Sequence, residues 1–500
     1  MSTLIALARA QAADSGIAQP VSTVRHVHLA GRPLILVALT LAGEANAPLA
    51  VMTGEDPRHG RLLVVANPRN RDQRFEFAAR LAEVVTGYID RYRPATERVP
   101  AQRGGADRYR CADAPQLIVP NPAAVGFVRL LGRSTRFRRP DGEHPVGPAV
   151  PVLGRWLTFL AERAEVPGSC LMLAATQALS LHWASGQSAV EDLNLAALMG
   201  WIDPPAGLTG RQAAAAAEDP LAWPPAGPAT DPTFDNEVLA QLIAACSRAA
   251  QNPHRYQAAV SDLEKALARQ IAPTWKLMWR AVGLLRGLPP GDRVSIRWEA
   301  DRDAFTSHVE HLRDGGPPQP RRDSAVAAAR RLNSLERSQA IYAAQRAFDD
   351  PLVLAQYRLT GEAFGGIVTA AEPDRVDASG KRRKLRPLIT VDTEDLLRVE
   401  RTTRMLSPSR PVQKAEVISV ATGRGARSRV VLELSGGMGR SLTAAPGSVP
   451  AVGERLCYTT LTDAYQPRGA FPDREDTPWT HGGPPPAYVP AGDENAEDWS

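Results

Sequence analysis

Apolar positions in the first 150 residues fall into short runs separated by turn residues. Leu34 to Leu41, Leu49 to Met52 and Leu62 to Ala66 are such runs, with Glu44, Pro48, Asp56 and Pro57 between them. Runs of this length bounded by turn-forming side chains predict strands. From Arg71 to Arg93 the period becomes helical. Phe77, Leu81, Val84, Val85, Tyr88 and Tyr92 share one face, and Arg74, Arg80, Glu83 and Asp90 take the other. Residues 94–115 are polar and predict a loop, Leu117 to Val119 one more strand, and Arg133 to Gly147 a second loop. Strands followed by a helix define a small α/β or α+β unit over residues 1–149.

Beyond residue 150 the helical period dominates. Val152 to Glu165, Ser169 to Trp183 and Ala189 to Met199 are apolar helical stretches, closed by Pro167, Gly186 and Pro204-Pro205. Asp231-Pro232, Asn252-Pro253 and Asp350-Pro351 share one start signal. Each puts a capping side chain just before a proline, whose missing N–H costs nothing at the first helical position. Pro273 to Leu288, Asp301 to Arg313 and Ala325 to Phe348 also read as helices, and Val294 to Trp298 as an isolated strand. Seven of nine tryptophans lie between Trp156 and Trp298, which points to the main core in a helical domain over residues 150–365.

After Gly365-Gly366 the period is two. Ile367 to Ala370, Leu388 to Val391, Leu397 to Glu400, Ala415 to Val420, Arg429 to Leu434 and Arg455 to Thr460 predict strands, with glycine turns between several of them. Short strands without helices over 366–465 predict a small closed β-barrel. Residues 466–500 are rich in Pro and Gly, carry seven acidic and two basic side chains, and predict a disordered acidic tail. The expected fold class is therefore multidomain α+β: an N-terminal α/β unit, a mostly helical centre, a C-terminal barrel and the tail.

Charge sharpens one part of this picture. The formal net charge is only +5, yet residues 380–430 hold thirteen Lys or Arg against five Asp or Glu. Lys381, Arg382, Arg383, Lys384 and Arg386 fill one hairpin loop, and Arg424, Arg427 and Arg429 crowd another. Guanidinium forks match phosphate oxygens, so these eight side chains are the candidate nucleic-acid-binding residues. Between 366 and 465 there is no Phe or Trp, and only Tyr458 and Tyr465 are aromatic. Base stacking is thus poorly supplied, and contact to the phosphate backbone is the expected mode. Arg330, Arg331 and Arg337 fall on one side of a long helix and could extend the footprint, although a solvated face explains them too.

Other chemistry is thinner. Only five of the 59 basic residues are lysines and none precedes Lys265, which excludes a Walker A loop from the first half. Gly436-Gly437-Met438-Gly439 lacks a following helix and a lysine, so it reads as a barrel turn. His26 with His28 and His308 with His311 are spaced to share a face, but neither pair has an identified third ligand. The four cysteines are scattered, which points to a reducing, cytoplasmic setting. The longest apolar run is too short to cross a bilayer. No catalytic residue, metal ligand or cofactor is nominated.

The stretch from Ile367 to Leu461 resembles in pattern the small β-barrel inserted in nucleic-acid helicases. Arg404 to Pro411 (RMLSPSRP), Ala415 to Val420 (AEVISV) and Val452 to Leu456 (VGERL) carry the likeness. The helicase motor itself has no counterpart here, since no Walker A lysine loop is present. The expected function is a non-enzymatic nucleic-acid-binding or scaffold subunit, serving a separate helicase or nuclease in DNA processing or defence. The alternative is a metal-dependent hydrolase or nuclease, with its site in the N-terminal unit or near His308 and His311.

Overall fold

The computed structural model describes residues 2–101, 106–220, 223–225, 227–380, 382–422 and 427–464. The expectation of a disordered tail falls outside them. The α+β organisation is present: an N-terminal α/β region, helices through the centre and a closed barrel at the C-terminal end.

Five strands build the N-terminal sheet: β1 (Leu34–Leu41), β2 (Glu44–Gly54), β3 (Arg61–Val64), β4 (Leu117–Val119) and β5 (Met172–Ala174), in the order β3-β2-β1-β4-β5. The first three are antiparallel neighbours, whereas β4 runs parallel to both β1 and β5. All eight residues of β1 are buried, as its unbroken apolar run requires of a strand covered on both faces. β5 corrects the sequence reading, which placed Ser169 to Trp183 in one helix. Only Ala175–Ser180 is helical there, and Met172 to Ala174 close the sheet.

Three further stretches depart from the expected elements. Thr96–Val99 and Arg108–Cys111 form a hairpin inside the expected 94–115 loop, where Cys111 N–H donates to Thr306 Oγ1 at 2.9 Å. Val294 to Trp298 are the start of a helix, Val294–Arg313, rather than a strand. Leu397 to Glu400 are not a strand, and Arg404–Ser407 take that place in the barrel. The helices Thr3–Ser15 and Pro122–Thr135 had no counterpart in the reading.

All three capping signals operate. The side chains of Asp231, Asn252 and Asp350 accept backbone N–H groups of Thr233, Arg255 and Leu352. Asn252 opens a 35-residue helix, Pro253–Gly287, that carries Trp275 over the sheet. A Cβ on Gly60 would stand 3.0 Å from the Trp275 ring, so the ring packs directly on backbone. One apolar cluster runs from Val27 to Phe305 and takes in the sheet, the helices against it and Trp156, Trp275 and Trp298.

The barrel is closed by six strands: β6 (Ala363–Glu372), β7 (Leu388–Thr393), β8 (Arg404–Ser407), β9 (Arg410–Thr422), β10 (Ser428–Ser435) and β11 (Arg455–Thr459), in the order β6-β7-β10-β9-β8-β11. Period-two alternation puts Ile389, Val391, Val430, Leu432, Leu434, Val417 and Met405 inside. The helix Pro351–Thr360 feeds into β6, and Val353 and Leu354 join Ala347 and Ala363 in a small apolar seam beneath the barrel. Arg293 reinforces this junction, reaching Asp349 at 3.1 Å and Asp463 at 3.2 Å.

Candidate nucleic-acid interface on the barrel

Between β6 and β7 the chain makes an accessory hairpin, in which Val376 pairs with Leu385 and Asp377 with Lys384. Asp377 accepts hydrogen bonds from Ser379 N–H and Oγ, which fixes the turn's first half. Its base is braced by charge: Arg375 donates to Glu433 at 2.7 Å and to the Arg386 carbonyl at 2.9 Å. Arg386 stands 3.6 Å from the same Glu433 carboxylate, so its charge is spent within the barrel. Arg382, Arg383 and Lys384 project at the tip, are exposed, and have no ion-pair partner among the described residues. Lys381 lies outside the described residues.

The second basic loop is differently placed. Arg427 pairs with Glu394 and Arg429 with Asp392, each at 3.0 Å, and Arg424 lies outside the described residues. The hydrogen bond from Arg429 holds the Asp392 carboxyl below the usual carboxylate range. In the ladder Leu388 faces Glu433 while Thr393 faces Ser428. The accessory hairpin therefore leaves β7 at one end, whereas β9 ends at Thr422 and β10 begins at Ser428 at the other, about 17 Å away at the rise of a strand. Glu416 faces Glu433 at the accessory-hairpin end, level with Leu388, and Asp392 stands at the Arg427 end. Arg382 to Lys384 and Arg427 with Arg429 thus stand at opposite ends of β7.

Among the described barrel residues no aromatic ring is offered to a ligand, and Tyr465 lies outside them. Phe364 and Tyr458, with centroids 5.9 Å apart, are both fully buried in the barrel core. Gly436, Gly437 and Gly439 adopt positive φ in a turn that sets Met438 into the same core. That is the role expected of a barrel turn.

At the Arg427 end a cleft of about 660 Å³ lies between the barrel and the helix Pro351–Thr360. Arg358, Arg427 and Arg455 line it beside Asp392, Glu394 and Asp395. Arg358 makes a two-pronged pair with Asp395, at 2.6 and 2.9 Å, and Asp395 also accepts Gly365 N–H. Its charges largely satisfy one another.

Three of the four paired histidines are taken up by packing, and the exposed His311 bonds the Pro317 carbonyl at 2.8 Å. His28 stacks on Trp298 at 3.9 Å and His308 on Phe159 at 4.2 Å. His26 is buried between Ser22 and Asp350, and its backbone N–H donates to His182 Nε2 at 2.9 Å. Ser22, His26 and Asp350 look like catalytic company, but Ser22 Oγ donates directly to Asp350 at 2.6 Å. All three side chains are buried, so the group is a fastener and not a nucleophile facing substrate. Among the described residues no cluster of three or more His, Cys, Asp or Glu could hold a metal ion. No helix among them is long and apolar enough to cross a membrane.

Arg331, one of the long-helix arginines, pairs with Glu165 and Asp323. It belongs to a group the sequence reading missed. Arg129, Arg133, Arg136, Arg321 and Arg331 line one small cavity of about 190 Å³. The four-residue spacing of Arg129 and Arg133 on one helix was the available signal. No family model, curated protein or solved structure matches this chain.

Proposed function

We propose that the chain is a non-enzymatic nucleic-acid-binding subunit, working beside a separate motor or nuclease, and that it grips the phosphate backbone with the accessory hairpin of its barrel. The observation that carries this reading is the trio Arg382, Arg383 and Lys384: exposed, adjacent, and without carboxylate partners among the described residues. Arg375, Arg386, Arg410, Arg427 and Arg429 are matched with carboxylates; here three adjacent cations share one tip held by the Arg375–Glu433 brace. Phosphate oxygens satisfy such a tip without base recognition, and the burial of Phe364 and Tyr458 agrees with backbone contact over stacking.

Fluorescence anisotropy of a labelled duplex, titrated with the full chain over a salt series, tests the proposal. Binding should weaken linearly on a log–log plot as salt rises. The triple variant R382E/R383E/K384E should lose about tenfold or more in affinity at low salt, with a slope shallower by roughly 0.9 per phosphate contact removed. Absence of binding at about 50 mM salt, or binding indifferent to salt, overturns the reading.

A further inference from the structure

The glycine turn that follows β10 ties the accessory hairpin to β9. Met438 anchors it in the barrel core, and Ala444 N–H donates to Asp374, at the root of the hairpin, at 3.0 Å. A Cβ on Gly437 would stand 3.0 Å from the Val412 side chain, so the turn also lies against β9. The chain beyond it is pinned as well. Arg410 donates to the carbonyls of Gly447 and Ser448, each at 3.1 Å, and Gln413 donates to the Ser448 carbonyl at 2.9 Å. The exposed Arg440 is therefore carried on a segment fixed between the hairpin and β9.

Period-two alternation continues the row. Gln413, Ala415 and Val417 are buried on β9, so Lys414 and Glu416 point outward. Met405 is buried on β8, so Arg404 points outward too, directly opposite Glu416. Lys414 faces Ser435 on β10 and Leu406 on β8. Arg404, Lys414 and Arg440 are exposed and make no ion pair among the described residues. Glu433, the other residue opposite Glu416, is already committed to Arg375 and Arg386. Glu416 is the carboxylate that interrupts the row.

The spacing suits a polymer. From β7 through β10 and β9 to β8 the ladder crosses three inter-strand spacings, about 14 Å. A duplex rises that far over about four base pairs. Cations spread over such a length match successive phosphates better than one compact anion. We infer that duplex phosphates continue from the accessory hairpin past Arg440 to Lys414 and Arg404, across the strands of the barrel, with Glu416 a repulsive charge on that path. The inference rests on the proposed nucleic-acid binding by the hairpin and adds the direction in which the duplex leaves it.

Anisotropy of a labelled duplex, titrated with the full chain over a salt series, tests it. R404A/K414A/R440A should weaken binding about tenfold at low salt and flatten the salt slope by roughly 2.7, or about 0.9 for each contact removed. E416K puts a cation where the carboxylate stood, and should tighten binding about threefold while steepening the slope by roughly 0.9. A misfolded chain cannot produce that gain. The inference is overturned if the unaltered chain binds, R382E/R383E/K384E weakens it, and R404A/K414A/R440A stays within about twofold; the hairpin grip then stands alone. A loss in R404A/K414A/R440A with no gain in E416K overturns it too. So does a loss in R427A/R429A larger than that in R404A/K414A/R440A, which would lay the duplex along β7 instead. If the unaltered chain binds no duplex, the proposed function itself falls and this inference with it.

Discussion

Single residues here owe their roles to partners the sequence keeps far away. The spacing of His26 with His28 and of His308 with His311 was legible; Trp298 and Phe159, the rings that occupy them, were not. Burial lowers the pKa of His28 to about 4 and of His182 and His308 to about 3, and lowers that of His26 as well. Unfolded histidines titrate near 6.5, so below that pH the unfolded chain binds protons the folded chain refuses. Stability is therefore fully present above pH ~6.5 and lost as pH falls toward the folded values, by roughly 2 kcal/mol at pH 5 for each of His28, His182 and His308. Urea denaturation should show a clearly lower midpoint at pH 5 than at pH 7.5, with the difference reduced in H308F. Equal midpoints at the two pH values would contradict this account. Asp350 acts in a lower window. Burial alone would raise its pKa, but hydrogen bonds from His26, Ser22, Thr23 and Leu352 hold it below the usual range. Asp350→Ala strips these donors of their acceptor and removes a helix cap, and should cost about 3 kcal/mol in the same assay at pH 7.

Elements were read well where the signal is local and poorly where it is not. Asn252-Pro253 announces a helix from two adjacent residues, and the Asn252 side chain accepts Arg255 N–H at 3.1 Å as that logic requires. Asn252→Ala should lower the unfolding free energy by about 1 kcal/mol, whereas Asn252→Asp should leave it within a few tenths. Equal losses in the two variants, measured by chemical denaturation, would mean the cap contributes nothing. By contrast, Met172 to Ala174 become a strand because β4 offers a parallel edge, and nothing within the run itself separates it from a buried helix. Likewise the barrel's alternation located β7, β9 and β10, but β8 is too short and too mixed in character to announce itself.

At the scale of the molecule, chain proximity proved a poor guide to charge. The excess of basic residues over 380–430 was legible as a sum, but a β-ladder decides which of them are neighbours. Arg429 falls opposite Asp392 and Arg427 beside Glu394, while Arg382, Arg383 and Lys384 emerge at the other end of β7. Two charge-matched variants separate these groups. R382A/R383A and R427A/R429A each remove two positive charges, and their sites lie farther apart than the Debye length of about 8 Å at physiological salt. If the accessory hairpin holds the phosphates, R382A/R383A should weaken duplex binding about tenfold and flatten the salt slope by roughly 1.8. R427A/R429A removes cations already shared with carboxylates, and should weaken binding less than about threefold with little change of slope. Equal losses in both variants would mean that nucleic acid spans the barrel from end to end, and the hairpin would not be the grip.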